Sequence, residues 1–270
     1  MAARSIGPLV LAGSGEYTET MDLVDRYLLD FLAGRPVVLI ATACAIEGDE
    51  RMTWWEQLGV RHFRKFGVEA VPVRIRNQEE ANIEEHAEII ASAGFVWFSG
   101  GSAAYLARSF DGTLAWRALQ AANLSGAAVA GASGGLGVLN PNVTQVGPDL
   151  QPIPGPTGLG LAAPVRAMSH FDRFAARRPE MIQRAVDNLA PDQKLVGVDE
   201  DTAIVWSEGA WLVMGHKRVQ VFEKGAGPVL YRHGDVIDTL PPPERARPHP
   251  PAPSPPGGEG EFGSAEVVQP

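Results

Sequence analysis

Short, continuously apolar runs that alternate with stretches of helical period are the strongest constraint on this fold. Pro8-Leu9-Val10-Leu11-Ala12 ends in Gly13-Ser14-Gly15-Glu16, and Met21, Val24, Leu28, Leu29 and Leu32 then recur at helix spacing before Gly34. The pattern repeats as strand Pro36 to Thr42, helix Glu50 to Phe66 closed by Gly67, strand Val68 to Ile75, helix Ala81 to Ala93, and strand Gly94 to Phe98. Ala103 to Gln120 is again helical, with Gly112 as a point of division, and Ala127 to Ala130 forms a fifth apolar run. Runs without a polar face need cover on both sides, as in a parallel sheet. Strands and helices alternating at this spacing predict a doubly wound α/β domain, its mostly parallel sheet flanked by helices on both faces.

Such folds collect ligands at the carboxyl ends of their strands. That rule brings Gly13 to Glu16, Thr42 to Ile46, Ser99 to Ser102 and Ser133 to Gly135 to one edge. Asn140 to Pro164, rich in Pro, Gly, Asn and Gln, is expected as a long loop over that edge. Pro164 to His170 then predicts a strand and Pro179 to Leu189 a helix. Lys194 to Trp206 has the pattern strand, acidic turn, strand, and Ala210 to Met214, Val219 to Phe222 and Val229 to Arg232 continue as a C-terminal β-meander. From Pro241 the chain is dominated by Pro, Gly, Ser and Glu. Such a segment cannot bury enough apolar surface to offset its ordering entropy, so a folded domain over 1–240 and a disordered tail over 241–270 are expected.

The 270 residues are 45% hydrophobic, which suffices for a sizeable core. No run of about 18 apolar residues suggests a membrane span, and Met1 to Pro8 lacks the design of a signal peptide. A single cysteine, Cys44, excludes an internal disulfide framework and fits a reducing compartment, so a cytoplasmic protein is expected. The net charge is −9 and the basic residues are scattered, so nucleic acid is not expected as a partner. Arg173, Arg177 and Arg178 form one dense basic cluster, suited either to a substrate carboxylate or to a solvated helix face.

Gly131-Ala132-Ser133-Gly134-Gly135 joins the fifth strand to the apolar stretch Leu136-Gly137-Val138-Leu139. A serine on such a strand-to-helix turn has a strained backbone and an exposed Oγ, and the N–H of Gly134 would face negative charge developing on a substrate oxygen. Gly100 or Gly101, after the fourth strand, would supply a second donor. A serine nucleophile needs a base, itself oriented by a third group. His62 and His86 lie in charged helical stretches, His233 in a late turn and His249 in the proline-rich tail, all read as surface positions. His216 sits in a hairpin-like Gly-His-Lys. His170 closes an apolar stretch after the long loop, where a base is delivered to a strand-edge site. Glu200, in the acidic turn, and Asp172, two residues past His170, are both suited to orient the imidazole. No metal site is expected, with one cysteine and no histidine pair at ligand spacing. No nucleotide-binding cofactor loop is expected either, since Gly13-x-Gly15 has Thr18 where a third glycine would fall.

Together, Gly13-Ser14-Gly15-Glu16, Ala41-Thr42-Ala43, Phe98-Ser99-Gly100-Gly101, Gly131 to Gly135, His170-Phe171 and Gly197 to Ala203 resemble peptidase family S51, the cyanophycinases and aspartyl dipeptidases. The likeness runs from about Leu9 to Phe222. It implies a class I glutamine amidotransferase-like, flavodoxin-like fold and a Ser-His-Glu triad at Ser133, His170 and Glu200, favouring Glu200 over Asp172. It also implies hydrolysis of peptide bonds next to aspartyl residues through an acyl-enzyme. Four departures stand out. The family's usual Ser-Ala-Gly-Ala elbow is Ser133-Gly134-Gly135-Leu136 here, with Leu136 expected to crowd the turn. The glutamine that cyanophycinases carry two residues after the glycine pair is Ala103. Their Asp-Gln before the histidine is Met168-Ser169, and their later arginines do not match in pattern. Cyanophycin is therefore not the expected substrate. The expected activity is a serine hydrolase acting on small peptides or amides, with a homodimer as an allowed assembly. A non-catalytic ligand- or partner-binding member of the fold is one alternative. An α/β-hydrolase esterase, with His216 or His233 as base, is another.

Overall fold

A computed structural model describes residues 6–141 and 155–244. The expected parallel strands form as β1 (Leu9–Ala12), β2 (Val37–Ile40), β3 (Ala70–Pro72), β4 (Phe95–Phe98) and β5 (Ala128–Ala132), ordered β3-β2-β4-β5-β1 across the sheet. Their two-sided apolarity is used in full. β1 sends Leu9 and Leu11 into one core and Val10 and Ala12 into the other, and β4 divides Val96 and Phe98 from Phe95 and Trp97 in the same way. Helices α1 (Asp22–Leu29) and α2 (Asp49–Arg64) close one face with Val24, Leu28 and Phe63. On the other lie α3 (Glu84–Ser92), α4 (Ala103–Phe110), α5 (Leu114–Leu124) and α6 (Gly134–Leu139), through Ile90, Phe110, Trp116 and Leu136. Gly112, at φ 70°, divides α4 from α5 as its position suggested.

The strand predicted over Val68 to Ile75 shortens to β3, an edge strand whose Pro72 has no N–H for a ladder. The C-terminal strands do not form one continuous meander. β7 (Lys194–Val198) belongs to a second sheet, ordered β11-β10-β7-β6, with β6 (Arg166–Met168), β10 (Arg218–Glu223) and β11 (Val229–Arg232). By contrast β8 (Thr202–Ser207) and β9 (Ala210–Gly215) extend the main sheet, β8 running antiparallel to β1. A tight turn with positive φ at Glu208 (51°) and Gly209 (87°) joins these two, the geometry that suits twisted hairpins. The acidic turn Asp199 to Asp201 is the crossover between sheets. It passes so close under the end of β1 that a Cβ on Gly13 would lie 2.1 Å from the Asp199 carbonyl oxygen.

The loop expected over the strand edge is placed differently at its described ends. The Leu159 N–H donates to Val138 O (2.7 Å) and the Ala162 N–H to Leu139 O (2.8 Å), beneath the last turn of α6. Leu161 meets Ile6 and Leu9 at the start of β1, the opposite end of the sheet from Ser133. Residues 142–154 of that loop, and the tail from 245 onward, lie outside the described residues. Two further helices, α7 (Phe171–Arg177) and α8 (Pro179–Asp187), follow β6.

Candidate active site

Ser133 stands on the turn between β5 and α6 at φ 52° and ψ −112°. A non-glycine residue held there costs about 1–3 kcal/mol. Close backbone approach enforces the turn: a Cβ on Gly131 would lie 2.2 Å from the Gly135 oxygen, and one on Gly135 would lie 2.3 Å from the Phe98 oxygen. Leu136 does not crowd the turn, since its side chain points away into the core and is 1% exposed.

His170 reaches the serine from the other sheet. The Asn140 side chain clamps β6 by donating to Ala167 O (2.8 Å) and accepting from Ala167 N–H (3.0 Å). His170 follows in the left-handed region (φ 50°, ψ 36°), its N–H donating to Gly13 O at 3.2 Å. The ring then lies between two partners, with Nε2 3.0 Å from Ser133 Oγ and Nδ1 2.7 Å from Glu200 Oε1. With Nδ1–H donating to the carboxylate, Nε2 is left to accept the serine proton.

Asp172 does not touch the imidazole; it holds Glu200 instead. Its Oδ1 accepts the Glu200 N–H (3.2 Å) and its Oδ2 accepts from Lys217 Nζ (2.6 Å). Burial pushes the Asp172 carboxyl up, but the Lys217 ammonium and the Glu200 N–H outweigh this and hold it below the usual carboxylate range. Lys217 is held protonated above its ordinary range by Asp172, with Asp201 and Glu200 adding to the effect. The second oxygen of Glu200 meets Arg173 Nε at 2.9 Å. Of the basic cluster, Arg173 therefore serves the acid, while Arg177 and Arg178 are exposed. Six described non-glycine residues have positive φ, and four of them, Tyr17, Ser133, His170 and Asp201, belong to this edge. Backbone strain of this kind clusters at functional sites, which makes this edge the candidate site.

Gly100 and Gly101 lie beside Ser133, but in different roles. The Gly100 N–H, expected as a possible oxyanion donor, is already donated to Glu16 Oε1 at 2.8 Å. Gly101 and Gly134 keep their N–H groups without an acceptor among the described residues, and their backbones touch: a Cβ on Gly134 would lie 2.2 Å from the Gly101 oxygen. Glu16 and Lys217 are site residues that the sequence reading left without a role. A clue was an acid directly after an apolar strand and two glycines.

The remaining histidines lie elsewhere. His216 and His233 are exposed, and neither is the partner of Ser133. His62 corrects the surface reading: it is 4% exposed and pairs with the buried Asp25 at 2.7 Å between α1 and α2. His86 is half-buried, its Nδ1 against Glu80 O, and His249 lies outside the described residues. Among the described residues no group of His, Cys, Asp and Glu has metal-holding geometry, and no helix is long and apolar enough to cross a membrane.

The model of peptidase family S51 matches residues 9–213. The chain belongs to peptidase family S51. No curated protein matches it. Among solved structures, a peptidase from an acI-B1 Actinobacterium is similar at 29% identity and TM-score 0.77, over 87% of this chain and 98% of that one. A putative peptidase E protein from Listeria monocytogenes EGD-e is similar at 17% identity and TM-score 0.56, over 79% of this chain and 100% of that one. The second likeness speaks for the fold alone. An S51 peptidase on a mostly parallel, helix-flanked sheet is thus established from both sequence and architecture.

Proposed function

We propose that this S51 peptidase is a serine peptidase acting on small peptides or amides, with Ser133 as nucleophile, His170 as general base and Glu200 as the orienting acid. One observation carries the reading: His170 joins Ser133 Oγ (3.0 Å) and Glu200 (2.7 Å) through its two ring nitrogens. Ser133 Oγ attacks the scissile carbonyl while His170 Nε2 takes the hydroxyl proton. The carbonyl oxygen gains negative charge and meets the Gly101 and Gly134 N–H groups. His170 then protonates the leaving amine, the C–N bond breaks, and an acyl-Ser133 ester remains. Water, deprotonated by the same imidazole, attacks that ester and releases the acid and the free serine. Arg173 and Lys217 offset the charge of Glu200 on the side away from the ring.

The test is labelling with a fluorophosphonate probe, wild type beside Ser133→Ala and His170→Ala, followed by a peptide library. Labelling in the wild type that disappears in both variants is the expected result. Folded wild-type protein that neither labels nor hydrolyses any peptide would overturn the reading in favour of a non-catalytic ligand-binding member. Full labelling retained in His170→Ala would point to another base.

A further inference from the structure

The turn after β4 is pinned from three sides. The Ser99 N–H donates to Ile40 O (3.0 Å), the Gly100 N–H to Glu16 Oε1 (2.8 Å) and the Ser102 N–H to Ala43 O (2.8 Å). Between them, the Gly101 N–H has no acceptor among the described residues. Gly101 is itself wedged, since a Cβ there would lie 2.5 Å from the Ala43 carbonyl. Two of these three pins are backbone-to-backbone bonds. The third is a side chain, and it reaches across from β1.

Glu16 is 6% exposed, an expensive place for a carboxylate unless donors surround it. Burial pushes the Glu16 carboxyl above the usual carboxylate range, and the backbone N–H groups of Glu16, Gly100 and Gly15, with His170, offset only part of this. The next residue, Tyr17, takes the left-handed region (φ 63°) and places its hydroxyl 3.1 Å from Ser99 Oγ. Successive side chains of the β1 turn thus grip successive residues of the β4 turn. A carboxylate spent on a glycine N–H beside a nucleophile, rather than on the substrate or the imidazole, fixes backbone geometry.

We propose that Glu16 is a positioning residue for the oxyanion donor: it locks the Gly100-Gly101 turn so that the Gly101 N–H faces the carbonyl attacked by Ser133. The inference rests on the serine-peptidase reading. A displacement of about 1 Å in a positioning element lowers rates by about 10²-fold.

The experiment uses full-length wild type, Glu16→Gln and Glu16→Ala. It measures the fluorophosphonate labelling rate, kcat and KM for 4-nitrophenyl acetate, and the thermal midpoint. Glu16→Gln keeps the volume and one acceptor oxygen, and is expected to lower kcat and the labelling rate about 10-fold. Glu16→Ala should lower both by about 10²-fold. KM should stay within about twofold in both, because a displaced oxyanion donor acts on the transition state and not on ground-state binding. If Glu16→Ala fails to fold, Glu16→Gln carries the test. Folded Glu16→Gln with wild-type kcat and labelling rate would overturn the inference, as would a rise in KM at unchanged kcat. Wild-type protein that does not react overturns the serine reading and this inference with it, a result distinct from either of those.

Discussion

Replacing Gly134 by alanine restores the residue that the family usually carries after its nucleophile, yet here it should damage the protein. A Cβ on Gly134 would lie 2.2 Å from the Gly101 oxygen, 2.7 Å from its carbonyl carbon and 3.0 Å from its nitrogen. All three are backbone atoms, so no side-chain rotation relieves the clash. Gly101 cannot retreat freely, because the Ala43 carbonyl stands 2.5 Å from where a Cβ on Gly101 would lie and its neighbours are tied to Glu16 and Ala43. Normal contact therefore requires a backbone shift of about 1 Å, and overpacking of this kind costs about 1–3 kcal/mol. The same shift carries the Gly101 N–H away from the oxyanion position, for a loss in kcat of about 10²-fold. Urea unfolding reads the first quantity and hydrolysis of 4-nitrophenyl acetate the second. Gly134→Ala with the wild-type urea midpoint and a kcat within twofold would refute the argument that this glycine is set by the approach of the Gly101 backbone.

The other half of the altered elbow should behave oppositely. Leu136→Ala empties a core position that is 1% exposed, so it should cost about 2–5 kcal/mol in urea unfolding while leaving kcat and KM of the folded fraction near wild type. A large drop in kcat with unchanged stability would contradict that placement. For Asp172 the sign follows from its depressed pKa. The ionised group favours the folded state, a contribution present above the unfolded value of about 4 and lost as pH falls through the lower folded value. Urea midpoints of wild type and Asp172→Asn should therefore differ near neutrality and converge as pH falls below the ordinary aspartate range; a constant gap would show that the carboxylate charge is not what Lys217 and Glu200 use.

Much of this was legible in the chain because it depends on local pattern. Continuous apolarity in Leu9 to Ala12 or Phe95 to Phe98 is enough to call a strand buried on both faces, and Gly112 is enough to divide a helix. The serine elbow and the histidine likewise follow from turn chemistry at strand ends. Pairing of the later strands was not legible. β7 and β8 are both apolar, yet they pair in different sheets, with Gly13 packed against the Asp199 turn that joins them. Nor could sequence decide between Glu200 and Asp172 without the family likeness, because Asp172 is the nearer in the chain, yet its carboxylate turns to the Glu200 N–H and it is Glu200, 30 positions away, that reaches the ring. Glu16 and Lys217 were hidden for the same reason: their partners stand 84 and 45 positions away in the chain.

The departures from the family's pattern separate by what they touch. Gly134 meets the Gly101 backbone and Leu136 fills the core, so both are accommodations of packing that leave Ser133 and His170 in register. Ala103 belongs with them in part: its Cβ lies 2.5 Å from where a Cβ on Gly137 would stand, so α4 and α6 approach through a pair of small residues. Arg173 is likewise engaged, since its guanidinium is committed to Glu200 at 2.9 Å. Ala103 and Arg173 are thus engaged in the approach of two helices and in holding the acid in place. In the proposed reading Ser133, His170 and Glu200 carry the cleavage, and a peptide library is the assay that addresses the choice of bond.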